Sequence, residues 1–222
     1  METGVKKKGA MKTDQLIALL SQDLAPARRG MVLRWLMAGL AGGVALSVLA
    51  MMMMLKPRPD LGVAMAGGAF WMKITYTAAL AVLGLVIVQR QARAGADSRT
   101  PIFALAAPVV ALIVLAAVQL SAPQADSAAL LMGQTWTVCP WAILALALPV
   151  YAGLLLALRR LAPTRLSLAG AAAGLVAGAS AATVYGFHCP ETAAPFILVW
   201  YSLGIALAAG LGALAGPWVL RW

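Results

Sequence analysis

The stretch "LAGAAAGLVAGASAATVYG", residues 168–186, carries no charged side chain and repeats glycine or alanine at 170, 174, 178, 182 and 186. A strand of a membrane barrel alternates apolar and polar residues over about ten positions. This run is continuously apolar and close to the roughly 20 residues that a helix needs to cross a bilayer. It therefore reads as a membrane-spanning helix. Its four-residue repeat of small side chains lets another helix backbone approach closely.

Five further apolar runs resemble it in length, giving spans at about 32–55, 70–88, 102–121, 141–158, 166–186 and 195–216. The 222 residues are 63% hydrophobic and 11% charged, with a mean hydropathy of +0.89. Soluble domains are about 45–50% apolar and about 25% charged. A separate soluble domain does not fit between the spans. The expected fold class is an all-α integral membrane protein: a six-helix transmembrane bundle over 31–222, preceded by a short cytoplasmic amphipathic helix. The first ten residues read as a leader, and 11–30 as the segment holding that helix.

A net charge of +10 invites a nucleic-acid reading. In a chain of this composition, the position of the charge matters more than its sum. With six spans, Lys6, Lys7, Lys8, Lys12, Arg28, Arg29, Arg34, Arg90, Arg93, Arg99, Arg159, Arg160, Arg165 and Arg221 fall on the side of the amino terminus. Only Lys56, Arg58 and Lys73 fall on the other. Basic loops stay in the cytoplasm, so both termini are expected there, in a bacterial inner membrane, with the lipid bilayer as partner and no direct contact with nucleic acid.

Within "MKTDQLIALLSQDLAP" (11–26), Leu16, Ile17, Leu20 and Leu24 recur at helical spacing; Thr13 or Asp14 can cap the start and Pro26 ends the pattern. Such a helix could lie flat on the membrane, but surface helices carry Lys and Arg on their polar face. This one has Asp14 and Asp23 there instead, which favours docking its apolar stripe into a partner's groove.

"MMMM" at 51–54 could suggest Cu(I), but consecutive helical positions point in different directions and cannot share one ion. The small-residue face of span five reads as a packing seam and would serve a homo-oligomer. Lys73 lies a few residues inside span two, where its stem would snorkel outward and Asp60 could pair with it.

The two cysteines, Cys139 in "VCPW" and Cys189 in "HCPE", both precede a span on the side away from the cytoplasm. Proline suits the first turn of a helix. If a helix began at each proline, each thiol would sit against the positive end of a helix dipole, which favours thiolate. A protonated His188 would add to that effect at Cys189, and Glu191 would oppose it. A static disulfide, a regulatory disulfide and a Cys139–His188–Cys189 metal site all stay open; the last has only three ligands, two of them adjacent. No C-x-x-C, phosphate loop or intramembrane carboxylate pair is present. Neither catalysis nor a resident cofactor or metal is expected. The competing classes are a small membrane transporter or channel with a structural periplasmic disulfide, and a membrane thiol oxidoreductase.

Taken together, "MKTDQLIALLSQDLAP", "RPDL" at 58–61 with "FWMK" at 70–73, "CPW" at 139–141, "LAPTR" at 161–165, "YGFHCPE…PFILVWYSLG" at 185–204 and the terminal "LRW" resemble the NrsF-type membrane anti-sigma factors. These are six-span bacterial inner-membrane proteins that negatively regulate an ECF (extracytoplasmic-function) sigma factor. The resemblance covers Met11 to Trp222, with the leader as the one departure. It implies that the segment from Thr13 through Leu24, including Asp14, Leu16, Ile17 and Leu20, binds the sigma factor. It also implies that Cys139 and Cys189 report envelope stress through a thiol–disulfide change.

Overall fold

The structure is a computed structural model that describes residues 13, 15, 30–91, 99–123, 126–161 and 163–221. The chain divides into a unit of residues 1–31 and a unit of residues 32–222. In the first, Thr13 and Gln15 are helical. The expected binding residues Asp14, Leu16, Ile17, Leu20 and Leu24 lie outside the described residues.

The second unit is all-helical among the described residues. Six helices are long and apolar enough to cross a membrane: helix one (Met31–Leu55), two (Gly68–Gln91), three (Thr100–Leu120), four (Cys139–Arg159), five (Leu166–Tyr185) and six (Ala194–Val219). Their ends lie within a few residues of the expected ones. Two short helices, Leu61–Ala66 and Ser127–Met132, sit in the loops between one and two and between three and four. Asp126 caps the second of these, accepting from the backbone N–H groups of Ala128 and Ala129 at 3.0 and 3.2 Å.

Helix five is the hub. About 72% of it is buried, against 22% for helix one and 17% for helix three. It packs against helices two, four and six, and its composition permits this because alanine and glycine hold neighbouring backbones close. A Cβ on Gly170 would run into the Gly212 carbonyl, and one on Gly174 into the Ala208 carbonyl, both on helix six. Helix six of the same chain thus packs on the small-residue face of helix five at Gly170, Gly174 and Gly178. Replacing Gly174 by alanine is expected to overpack this seam and destabilise the chain by about 1–3 kcal/mol. A lower unfolding temperature in detergent, with an unchanged Gly210→Ala control, checks this; a Cβ on Gly210 meets nothing within 4 Å.

Helix one leans on helix four through a similar approach, Gly39 to Gly153 and Gly43 to Val150. Side-chain hydroxyls tie the remaining helices together. Thr183 donates to Thr77 at 2.8 Å, Tyr76 and Ser202 share a hydrogen bond of 2.6 Å, and Tyr151 donates to the Gly212 carbonyl at 3.1 Å. The methionine run diverges as its spacing requires. Met51 is buried, while Met52, Met53 and Met54 are exposed.

Candidate functional site

The two cysteines lie at one end of the bundle, hereafter the cysteine end; Arg159, Arg160 and Arg165 lie at the opposite, arginine end. The site centres on residues 186–193, which join helices five and six. The backbone N–H groups of His188 and Cys189 donate to the Tyr185 carbonyl at 2.9 and 3.0 Å, so the chain still winds around the end of helix five when it reaches Cys189. Helix six starts at Ala194 with Pro195 in its first turn. Pro190 therefore starts no helix, and Cys189 sits at the negative end of helix five instead of the positive end of helix six. Cys139 is the first residue of helix four, with Pro140 in that first turn as expected.

Both cysteines are fully buried and free. The Thr135 hydroxyl lies 3.7 Å from Cys189 Sγ and shares a hydrogen bond with it. The Tyr185 ring packs at a tilt against both His188 and Tyr201, with ring centroids 5.6 and 5.9 Å away. Tyr201 belongs to a π-helical stretch, Ile197–Tyr201, a wide turn of the kind often found at functional sites. Its hydroxyl is buried close to the Cys189 thiol without a hydrogen bond of good geometry. Cys139, at the start of helix four, is buried at the same end of the bundle. The Cys189 thiol, the Thr135 hydroxyl and the rings of Tyr185 and Tyr201 thus gather at the end of the bundle where Cys139 is also buried.

The 186–193 loop is gripped from several sides. Lys73 of helix two is fully buried, and its ammonium donates to the carbonyls of Cys189 at 2.7 Å and Glu191 at 3.1 Å. It does not snorkel, and Asp60 does not pair with it. Asp60 instead takes two hydrogen bonds from the Arg58 guanidinium, at 2.7 and 2.6 Å. That pairing holds the Asp60 carboxyl below the usual carboxylate range and raises Arg58. The backbone N–H of Arg58 donates to the Phe187 carbonyl at 3.1 Å, and its Nη1 to the Pro190 carbonyl at 3.4 Å.

The side chains of the two residues expected to modulate the thiols are each held by a backbone group. His188 donates from Nδ1 to the Lys56 carbonyl at 2.7 Å. Lys56 presents that carbonyl from a positive φ of 61°, a backbone state that costs a non-glycine residue about 1–3 kcal/mol and clusters at functional sites. The Glu191 carboxylate accepts from the Gln134 N–H at 2.7 Å. Gly133, at φ 51°, makes room for it, since a Cβ there would collide with the carboxylate. From helix three, Gln119 accepts from the Ala194 N–H at 2.8 Å. Trp200 donates to the Leu131 carbonyl at 2.8 Å and packs on Trp136.

Comparison with known proteins places this arrangement. Residues 20–222 match the sequence profile described as "Negative regulator of sigma F", NrsF. The chain belongs to the NrsF family. Two NrsF relatives match along nearly all of it. The probable anti-sigma-F factor NrsF of Azospira oryzae is 40% identical over 213 residues, covering 96% of this chain and all of the relative. The anti-sigma-F factor NrsF of Caulobacter vibrioides is 42% identical over 221 residues, covering 96% and 100%. No solved structure matches. The NrsF profile takes in both cysteines, Lys73 and the whole loop network, as well as Leu20 and Leu24; Thr13, Asp14, Leu16 and Ile17 precede it.

The sequence reading passed over Lys73 as a clamp, the unpaired Tyr201 hydroxyl and the Gln134–Glu191 contact. Lys73 did carry a signal. A lysine inside an apolar run needs an acceptor, and no carboxylate lies in the apolar runs themselves.

Proposed function

We propose that this chain is an inner-membrane anti-sigma factor that sequesters an ECF sigma factor through residues 13–24 and releases it when the Cys139–Cys189 cluster changes redox or ligation state. It is a regulator and not an enzyme. The observation that carries the reading is the family match, together with two relatives named anti-sigma-F factors. The excess of Lys and Arg at the arginine end and in the amino-terminal segment supports a topology with both termini in the cytoplasm and the cysteine end in the periplasm.

The redox step balances simply. Forming a Cys139–Cys189 disulfide removes two protons and two electrons, which a peroxide takes up as it is reduced to water. Because both thiols are buried, an oxidant reaches them only when the 186–193 loop opens. Its grip by Lys73, Arg58, Lys56 and Gln134 therefore sets the sensitivity of the sensor. The loop joins helices five and six, helix five packs on helix four, and helix one leans on helix four. Packed helices have discrete alternatives, so a small change at the cysteine end can shift the crossing of helix one. The sigma factor must bind the two states with different affinity for the shift to signal.

Co-expression tests the function. The detergent-solubilised chain is expected to co-elute with a sigma-F-type sigma factor, and its overproduction to lower transcription that depends on that factor. Absence of both effects would favour the transporter reading.

A further inference from the structure

Beside the crossing of helices one and four lies a groove of about 410 Å³. Gly39, Gly42, Gly43 and Gly153 line it together with Leu46 and Leu156, both exposed on the side of the bundle. Where the groove reaches the arginine end, the centre of the Arg160 guanidinium lies 4.1 Å over the Trp35 ring, a cation–π contact. Its neighbour Arg159 is engaged otherwise, donating to the Val219 carbonyl at 2.7 Å.

We propose that this groove binds one acyl chain of an anionic phospholipid of the cytoplasmic leaflet, with the lipid phosphate paired to Arg160. The proposal rests on the topology given above. An apolar groove opening into hydrocarbon has to be filled, and a single flexible chain can follow a floor of glycines between two leucine walls. The space is open over Gly42, where a Cβ would meet nothing within 4 Å. The N–H groups of a guanidinium fan out in its own plane, where they can take phosphate oxygens as a fork. Tryptophan favours the headgroup level, and the cytoplasmic leaflet carries the anionic lipids that a basic lip complements.

Native mass spectrometry of the full chain, titrated with equal amounts of dioleoyl phosphatidylglycerol and dioleoyl phosphatidylcholine, tests this. The expected result is one retained phosphatidylglycerol in preference to phosphatidylcholine. Gly42→Leu, whose Cβ would meet nothing within 4 Å and whose side chain would occupy the groove, should abolish that retention. Arg160→Gln should lower it about fivefold, the usual contribution of one basic group at an anionic surface. Gly210→Leu, an equally open position on helix six, should leave it unchanged. Equal retention of the two lipids, or undiminished phosphatidylglycerol on Gly42→Leu and Arg160→Gln, overturns the proposal. So does disulfide pairing of two copies through Gly42→Cys in a Cys139→Ser, Cys189→Ser background, which would seat a second copy in the groove. No sigma factor enters the measurement, so its failure and that of the anti-sigma reading are distinguishable.

Discussion

Deleting residues 13–24 is expected to abolish co-elution of the sigma factor while leaving the amount and unfolding temperature of the membrane-extracted chain unchanged. In the proposed function, the stripe of Leu16, Ile17, Leu20 and Leu24 is the apolar surface this segment offers a partner. Burying such side chains is worth about 1.5–3 kcal/mol each. Even with the cost of ordering a short helix that is marginal by itself in water, the loss in affinity should exceed about 100-fold. Leu16→Asp with Leu20→Asp should reproduce most of it. Retained co-elution in either variant would move the binding surface to another cytoplasmic segment.

Replacing Lys73 by methionine is expected to loosen the 186–193 loop and expose Cys189. Methionine keeps the unbranched stem and loses the ammonium that holds two loop carbonyls. Hydrogen bonds to a charged group contribute about 1.5–3 kcal/mol each. Relief from burying the ammonium offsets part of their loss. A net cost of about 2 kcal/mol for local opening corresponds to about 30-fold more open loop. In a Cys139→Ser background, the rate of Cys189 alkylation by a small maleimide should rise by that factor. An unchanged rate would mean that Lys73 does not hold the loop closed.

The two predictions concern opposite ends of the chain, and the sequence spoke unequally about them. The six long helices were legible because uninterrupted apolar runs near 20 residues have few alternatives. The close packing of helix five was legible too, since glycine and alanine at every fourth position have one evident use. What covers that face was not. Gly212 on helix six meets Gly170 on helix five, a pairing between distant positions that no local pattern specifies.

The cysteine end shows the same limit at finer scale. "CP" means different things at its two occurrences: Pro140 sits in the first turn of helix four, whereas Cys189 closes helix five and Pro195 opens helix six. The choice depends on where helix five stops, which the loop's partners decide. Glu191 and His188 neighbour Cys189 in sequence, yet their side chains turn to Gln134 and Lys56. Lys73 looked near enough to water to snorkel. Only the folded loop shows two carbonyls waiting for it.

Sigma retention by the purified chain in its two redox states decides whether the cysteine pair governs release. The chain is loaded with sigma factor, split into dithiothreitol-reduced and diamide-oxidised halves, and the bound fraction is measured beside a Cys139→Ser, Cys189→Ser variant. Coupling between sites typically amounts to about 5–150-fold in affinity. A difference of at least about fivefold is expected between the halves of the unsubstituted chain, and none in the variant. Equal retention in both halves, with the disulfide shown to form, would contradict that control of release.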